Sequence, residues 1–177
     1  MRENIVLIGF MGVGKGRTAR ALASQTGMFA VDCDDLIESF ANEKIKTIFA
    51  EQGEQSFRKL EQKAAKWLEQ SVRASIISTG GGFFKVKNLR KIGKIVYLHA
   101  EFEDILERIR ADVNAAKKLR KRPLLQDMNK ARMLYDERVP LYRRVADVEI
   151  SVFGRSAEQI ASEIVTCCMS GKRKKRK

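Results

Sequence analysis

Short runs of apolar, β-branched residues alternate along the chain with longer segments in which apolar residues recur at helical spacing. The runs predict strands, and the periodic segments between them predict helices. The predicted strands are Asn4–Gly9, Met28–Asp32, Ala74–Thr79, Lys94–Leu98 and Asp147–Val152. The predicted helices are Arg17–Gln25, Asp34–Ala41, Ile45–Glu51, Gln55–Ser71, Glu101–Arg110 and Asn129–Arg144, and a last helix that opens at Ser156 with Gln159 as its capping-box partner.

Strands that alternate with helices are joined by right-handed crossovers, which give a parallel sheet with helices on both faces. The sequence therefore predicts an α/β protein, a three-layer αβα arrangement around a five-stranded parallel sheet. The predicted domain covers residues 1–170 and is followed by a basic tail at residues 171–177. Ligands of such sheets bind at the carboxyl ends of the strands, so the residues that follow each strand are the first candidates for a site.

Composition narrows the class of protein. The chain has 177 residues, of which 44% are hydrophobic and 32% are charged, as in soluble globular proteins. No run of 18 apolar residues occurs, and the three cysteines lack metal-binding spacing, which indicates reduced thiols. We therefore expect a cytoplasmic protein that does not span a membrane.

The net charge of +13 raises the question of nucleic-acid binding. Six positive charges lie in the terminal segment GKRKKRK, and a second cluster, KKLRKR, occupies residues 117–122. Such charge also steers ATP and an anionic substrate toward an enzyme. We expect no specific nucleic-acid partner and interpret the tail as solvated, with contact to a polyanion as the alternative.

The segment GFMGVGKGRTA at residues 9–19 joins the first predicted strand to the first predicted helix. It fits G-x-x-x-x-G-K-[ST] up to Lys15, but Gly16 stands where Ser or Thr would hold magnesium. In such loops backbone N–H groups point at phosphate oxygens, and the lysine reaches the β- and γ-phosphates. The pattern predicts a nucleotide site, with a structural glycine turn as the alternative. Its predicted contacts are Gly12, Val13, Gly14, Lys15, Gly16, Arg17 and Thr18.

Three further features lie where ligand contacts are expected. Asp32 and Asp34 of DCDD would point the same way on an extended chain, one toward magnesium and one toward an attacking hydroxyl group. The alternative is that these residues cap a helix. The triple glycine at residues 80–82 suits close backbone approach to a small ligand, with a flexible loop as the alternative. Arg58 and Arg138 would bind one carboxylate if they converged, which the sequence does not show.

The basic segment KKLRKRPLL lies between two predicted helices, and Pro123 ends the first of them. A mobile loop at this place would carry Arg122 over bound ATP and neutralise charge on the transferred phosphoryl group. We interpret the other charges of the segment as solvated. His99 is interpreted as structural, and Trp67 and the pair at residues 83–84 as packing residues.

Taken together, these segments resemble the shikimate kinases, in the nucleoside-monophosphate-kinase branch of the P-loop proteins. The matching pieces are GFMGVGK, DCD where the family has D-T-D, IFAEQGEQSFRKLE, ISTGGG, RPLL and ERVPLYRRVAD, in family order and spacing from residue 5 to about residue 165. The resemblance implies a P-loop kinase that phosphorylates the 3-hydroxyl of shikimate with ATP and Mg²⁺. It also implies a place in aromatic amino acid synthesis through chorismate, a monomer, and a mobile lid at about residues 111–125.

The resemblance further implies roles for individual residues. Asp32 would hold magnesium through water, and Asp34 would bind the substrate hydroxyls and position or deprotonate the nucleophile, with Lys15 and Arg122 completing the catalytic set. The implied substrate contacts are Arg58 and Arg138 on the carboxylate, Gly80, Gly81 and Gly82 around the ring hydroxyls, and Phe49 and Phe57 along the pocket. Arg110 and Arg155 are implied at the adenine end of ATP, and Arg122 is the lid arginine.

Adenylate kinases also resemble this chain in having glycine directly after the loop lysine, and they hold magnesium through phosphates and water. The analogy is incomplete, because Arg17 replaces the threonine that follows and the next hydroxyl is that of Thr18. We predict a working kinase with a looser metal site, in which Gly16→Ser lowers the magnesium requirement. Arg17 either supplies charge near the α-phosphate or faces solvent.

Two other functions fit parts of the pattern. A kinase for another small hydroxylated metabolite, such as a sugar acid, would use the same arginines and glycines, and a substrate screen separates it from a shikimate kinase. A nucleotide-binding regulator without catalysis would account for Gly16, but the chain retains Lys15, Asp34 and Arg122.

Overall fold

Five short strands form one parallel sheet in the computed structural model, which describes residues 3–111 and 127–169. They are β1 (Ile5–Ile8), β2 (Phe29–Asp32), β3 (Ser75–Ser78), β4 (Lys94–His99) and β5 (Val148–Ser151). Their order across the sheet is β2-β3-β1-β4-β5, and all neighbouring pairs are parallel. Each strand matches its predicted counterpart to within one residue at either end, so the predicted sheet is confirmed.

Helices connect the strands and cover both faces of the sheet. They are α1 (Lys15–Thr26), α2 (Cys33–Ala41), α3 (Ile45–Ser71), α4 (Leu89–Ile92), α5 (Phe102–Arg110), α6 (Met128–Val145) and α7 (Ala157–Cys168). Helices α1 and α7 pack together on one face, and right-handed crossovers place α3, α4 and α6 on the other. The predicted three-layer arrangement is confirmed, as is the capping box of Ser156 and Gln159.

The strand register brings separate chain segments to one edge of the sheet. Leu7 of β1 lies level with Ser78 of β3, and Ser78 lies level with Asp32 of β2. The loop after β1, the end of β2 and the glycines after β3 therefore leave the sheet side by side. This is the edge at which parallel sheets bind their ligands.

The core lies between the sheet and the helices on each face. Val6, Leu7, Ile76, Ile77 and Leu98 of the central strands have no exposed surface, which is typical of parallel strands covered on both sides. Complete burial of each such side chain contributes about 1.5–3 kcal/mol. A second, small cluster joins α2 to α3 and so supports the helices that carry site residues; its members are Ile37, Ile48, Phe57 and Ala64.

The element α3 departs from its prediction in two respects. The sequence predicts two helices here, and the structure has one element interrupted at Gly53, whose φ of 75° and ψ of 173° are not helical. Trp67, predicted to pack in the core, is 44% exposed because Ala64 and Leu68 take the buried positions of that turn. None of the helices in the described ranges is long and apolar enough to cross a membrane.

Candidate active site

The segment between β1 and α1 forms a tight loop that depends on glycine. Gly12 and Gly14 have φ angles of 88° and 108°, which favour glycine, and Gly14 caps the N-terminus of α1. The ammonium group of Lys15 donates hydrogen bonds to the carbonyl oxygens of Gly9 at 2.8 Å and Phe10 at 3.0 Å, so it lies over the loop. A glycine loop at a helix N-terminus offers N–H donors and the positive end of the helix dipole to an anion.

Gly16 lies in the first turn of α1 and faces polar groups from two strands. A Cβ atom on Gly16 would lie 3.9 Å from Asp32 Oδ2 and from Ser78 Oγ, and 3.8 Å from Arg20 Nη1. The hydroxyl group of Ser78 donates a hydrogen bond of 3.0 Å to Asp32 Oδ2. The position at which the loop pattern expects a hydroxyl group therefore faces a carboxylate that is already oriented.

Asp32 ends β2 and caps α2. Its Oδ1 accepts hydrogen bonds from the backbone N–H groups of Asp34 at 2.9 Å and Asp35 at 3.4 Å. The prediction that Asp32 and Asp34 share an extended chain is wrong, because the strand stops at Asp32 and helix α2 begins at Cys33. The two carboxyl groups therefore reach the site from different backbone conformations, and the capping alternative is correct for Asp32.

Asp34 lies in the first turn of α2 with its carboxyl group against Gly80. A Cβ atom on Gly80 would lie 2.8 Å from Asp34 Oδ1 and 3.4 Å from Glu61 Oε1. Burial raises the pKa of Asp34 to about 6, the charge of Asp32 adds to the rise, and the ammonium group of Lys15 opposes it. The carboxyl group is mostly ionised at pH 7 and can accept a proton from a hydroxyl group.

The glycine segment after β3 is where Arg58 and Arg138 meet. Arg138 Nη1 donates a hydrogen bond of 3.1 Å to the carbonyl oxygen of Gly81, and Tyr142 donates one of 2.6 Å to the same oxygen. A Cβ atom on Gly82 would collide with Arg58 Nη1. Arg58 also donates hydrogen bonds to Glu54 and Glu61, so a carboxylate bound by the two guanidinium groups would share Arg58 with these residues.

Glu61 is absent from the predicted site, yet it lies among the site residues. Its side chain is 2% exposed, and Oε2 accepts a hydrogen bond of 2.5 Å from Arg58 Nη1. Its Oε1 is buried and has no hydrogen-bond partner within residues 3–111 and 127–169. Burial raises the pKa of Glu61, and Arg58 opposes the rise. The signal in the sequence is its position three residues after Arg58, because opposite charges at that spacing pair on a helix.

A cleft of about 510 Å³ lies between α1, α5 and the segment after β5. Arg17, Arg108, Phe153 and Arg155 are among the residues that line it. Arg108 donates a hydrogen bond of 3.1 Å to the carbonyl oxygen of Val13 in the loop. Burial lowers the pKa of Arg108, and the charge of Arg17 lowers it further. The cleft therefore continues the phosphate loop, and its lining combines three arginines with Asp104 and Glu107.

Arg155 borders this cleft, but Arg110 does not. Arg110 faces a neighbouring hollow with Glu103 and Leu106, and Arg108 occupies the side of α5 that faces the cleft. The reason is helical geometry, since two residues along an α-helix turn the side chain by roughly 200°. The contact of Arg110 with the adenine end of ATP therefore stays a prediction, and Arg108 is a second candidate for it because it borders the cleft.

Phe49 and Phe57 lie together on the two sides of the break in α3. Their ring centroids are 4.7 Å apart, and Arg58 lies over the ring of Phe57 at 5.5 Å. Phe57 is buried, whereas Phe49 is 39% exposed. The pair forms an apolar wall next to one of the two arginines.

Comparison with known proteins identifies the family. The shikimate kinase family model matches residues 11–169 of this chain. The chain belongs to the shikimate kinase family. A shikimate kinase of Helicobacter hepaticus is 38% identical over 165 residues, which cover 93% of this chain and 95% of that protein. A shikimate kinase of Sulfurihydrogenibium is 36% identical over 169 residues, with coverage of 93% and 96%.

Solved structures agree with this assignment. The shikimate kinase of Acinetobacter baumannii in complex with shikimate aligns with a TM-score of 0.84 at 35% identity, covering 98% of this chain and 97% of that one. A gluconokinase of Sinorhizobium meliloti, at 16% identity and a TM-score of 0.57 with coverage of 94% and 92%, shares the fold alone. The prediction of a P-loop kinase fold is confirmed.

The residues of this shikimate kinase fit a magnesium ion that is held mainly by phosphates and water. Within the described ranges, no three His, Cys, Asp or Glu side chains cluster so that they could hold a metal ion themselves. Asp32 Oδ2 faces the phosphate loop and is oriented by Ser78. One carboxylate beside a phosphate cradle suits Mg²⁺, which keeps several waters and binds through few protein oxygens.

Some predicted features of a shikimate kinase fall on residues outside the described ranges. They are Arg122, the RPLL segment, the lid beyond Ala111, the basic cluster at residues 117–122 and the tail at residues 171–177. Their roles stay predictions.

Proposed function

We propose that this protein transfers the γ-phosphoryl group of ATP to the 3-hydroxyl of shikimate, giving shikimate 3-phosphate and ADP. The observation that carries the proposal is the meeting of the phosphate loop with Asp34, Arg58 and Arg138 at one edge of the sheet. Membership of the shikimate kinase family supports it, as does the relative from Acinetobacter baumannii whose structure holds shikimate.

Shikimate carries a carboxylate at one end of its ring and hydroxyl groups at the other, and the site offers matching donors and acceptors. Arg58 and Arg138 bind the carboxylate, because two guanidinium groups supply several donors in fixed planes. Asp34 accepts hydrogen bonds from the ring hydroxyls. Gly80, Gly81 and Gly82 allow the ring to approach the backbone, and Phe49 and Phe57 cover an apolar side.

The chemical step needs positioning and charge stabilisation more than covalent participation by the protein. Asp34 accepts the proton of the 3-hydroxyl group. The oxygen of that hydroxyl group forms a bond to the γ-phosphorus, and the bond between the γ-phosphorus and the leaving oxygen of ADP breaks. A carboxyl group with a pKa of about 6 suits this task, since it is ionised at neutral pH and still basic enough to hold the proton. Lys15 and the loop N–H groups bind the β- and γ-phosphates, and we propose that Arg122 adds charge from the lid.

We propose that Mg²⁺ accompanies ATP and that Asp32 contacts it through water. When bound, the ion neutralises phosphate charge and orients the γ-phosphoryl group. At the other end of the nucleotide, Arg17, Arg108 and Arg155 border the cleft that would receive the adenosine part. We further propose a cytoplasmic monomer that acts in aromatic amino acid synthesis through chorismate.

The direct test measures ADP release by the purified protein with ATP and Mg²⁺, in the presence and absence of shikimate. Gluconate serves as a second hydroxylated acid, and Asp34→Asn serves as the inactive control beside Asp35→Asn, whose side chain is exposed. Release that depends on shikimate and is lost only in Asp34→Asn supports the proposal. Release that depends instead on gluconate assigns the site to another acid, and nucleotide binding without any release leaves a binding protein.

A further inference from the structure

Arg20 is a cationic residue beside the phosphate loop that the predicted site does not include. It lies four residues after Gly16 on α1, so the two residues share one face of the helix. Arg20 Nη1 lies 3.8 Å from the point that a Cβ atom on Gly16 would occupy. The same point is 3.9 Å from Asp32 Oδ2, so the guanidinium group reaches the space that the missing side chain leaves beside the proposed metal carboxylate.

We propose that Arg20 binds the nucleotide polyphosphate from the position where the loop pattern places a metal-binding hydroxyl group. As a result this chain holds metal-free ADP almost as tightly as magnesium-bound ADP. The inference rests on the proposed nucleotide site, and it is independent of which acid is phosphorylated.

The chemistry of the guanidinium group suits this role. A guanidinium group is a cation whose planar donors pair with phosphate oxygens. Within residues 3–111 and 127–169, no side chain or backbone group forms a hydrogen bond or ion pair with Arg20, whose side chain is exposed and has Nη1 beside Gly16. A fixed positive charge near Asp32 also disfavours a divalent cation at the same carboxylate. Both effects narrow the difference in affinity between metal-free and metal-bound nucleotide.

A side chain at residue 16 would change this arrangement. Serine there would fit at ordinary contact distance and would place its hydroxyl group among Asp32, Ser78 and Arg20, so the hydroxyl and guanidinium groups would share the space beside the phosphates. The hydroxyl group would then be available to the metal. Gly16 and Arg20 are therefore expected to act together, and the effects of their substitutions on the free energy of ADP binding should not be additive.

The test is calorimetric titration of ADP into the full-length protein, without shikimate, in EDTA and in excess Mg²⁺. The variants are Arg20→Gln, Arg20→Lys and, as a charge-matched control, Arg73→Gln. Arg73 bonds to carbonyl oxygens at the end of α3, before β3 and hence at the opposite edge of the sheet. We expect the wild-type Kd to differ less than about threefold between the two conditions, which is under 1 kcal/mol.

In Arg20→Gln we expect the metal-free Kd to rise about five- to tenfold, while the Kd in Mg²⁺ changes less than about twofold. Arg20→Lys should recover part of the metal-free affinity, and Arg73→Gln should match the wild type. The proposal would be overturned if Arg20→Gln weakened ADP binding equally in EDTA and in Mg²⁺, or if it did not weaken ADP binding in EDTA.

A double variant tests whether Arg20 acts through the space beside Gly16, and Arg20→Lys keeps the proposal testable if Arg20→Gln disturbs folding. In a Gly16→Ser background, which should need less Mg²⁺, replacing Arg20 should have little further effect on metal-free binding. If replacing Arg20 weakens metal-free ADP binding as much in the Gly16→Ser background as in the wild-type background, Arg20 does not act through the space beside Gly16. ADP binding that behaves as expected in a protein that does not phosphorylate shikimate would sink the proposed reaction and leave this inference standing.

Discussion

Replacing Asp34 with asparagine should make the fold more stable while it removes phosphoryl transfer. The carboxyl group of Asp34 is held where its charge is disfavoured, first by loss of water and then by the charge of Asp32. Glu61 and Asp35 act in the same direction, and Lys15 opposes them. A group that catalysis requires therefore destabilises the native state at neutral pH, which is a known conflict between activity and stability.

The raised pKa sets the size of this effect. A rise from 3.8 to about 6 corresponds to about 3 kcal/mol of destabilisation at pH values above 6. Removing a negative charge from the first turn of α2 also loses about 0.5 kcal/mol of favourable interaction with the helix dipole. We therefore expect Asp34→Asn to increase the free energy of unfolding by about 2 kcal/mol at pH 7.5.

The direction of the pH dependence follows from the same pKa. Because the folded-state pKa lies above the unfolded value, the native state binds more protons between pH 3.8 and about 6. The stability of the wild type therefore falls as pH rises through this window, and the asparagine variant lacks that contribution. The gain in the free energy of unfolding of Asp34→Asn over the wild type should be complete above the folded-state pKa and about half as large at pH 5.

Urea unfolding at pH 5 and pH 7.5, followed by circular dichroism, measures both quantities. Asp35→Asn is the matched control, because Asp35 is exposed in the same turn and loses the same interaction with the helix dipole. It should be slightly less stable than the wild type at both pH values. The reasoning fails if Asp34→Asn gains no stability over Asp35→Asn at pH 7.5, or if the gain is the same at both pH values.

Three further predictions concern the surroundings of Asp34. Gly80→Ala places a Cβ atom 2.8 Å from Asp34 Oδ1, so kcat should fall on the order of a hundredfold while ADP affinity stays unchanged. Tyr142→Phe removes the hydrogen bond to Gly81, so the KM for shikimate should rise severalfold and urea unfolding should show a loss of about 1 kcal/mol. Glu61→Gln removes a charge that raises the pKa of Asp34, so the acid limb of kcat/KM should move to lower pH, and an unmoved limb contradicts this role.

The strands and the phosphate loop could be predicted because each is encoded by neighbouring residues. Runs such as Ile5–Ile8 and Lys94–His99 are apolar on both faces of the chain, which indicates a strand covered by helices on both sides. The glycines before Lys15 are needed where the backbone turns into α1. Once the order of strands and helices is known, the carboxyl edge of the sheet follows as the ligand site.

The remaining features depend on contacts between distant residues. Ser78 becomes a partner of Asp32 only through the register between β2 and β3. Arg108 rather than Arg110 borders the cleft beside the phosphate loop because of the side that α5 turns toward it, although the sequence predicts the bounds of this helix to within one residue. The sequence predicts that the strand ends at Asp32 and that a helix begins at Asp34, but where the two carboxyl groups point depends on how the chain turns from strand to helix within one residue.

The glycines at the ligand edge can be understood through the charged groups that approach them. At each position a Cβ atom would meet a charged side chain: Asp32 and Arg20 at Gly16, Asp34 at Gly80, and Arg58 at Gly82. At Gly80 and Gly82 the missing side chain is what allows the charge to lie against the backbone, whereas a Cβ atom on Gly16 would lie at ordinary contact distance from its charged neighbours. At Gly16 the usual hydroxyl group, which would hold a metal ion against the phosphates, is absent. The guanidinium group of Arg20 is the electrostatic partner that we propose in its place. The exchange predicts a kinase whose nucleotide affinity depends less on magnesium, rather than a loop that has lost its function.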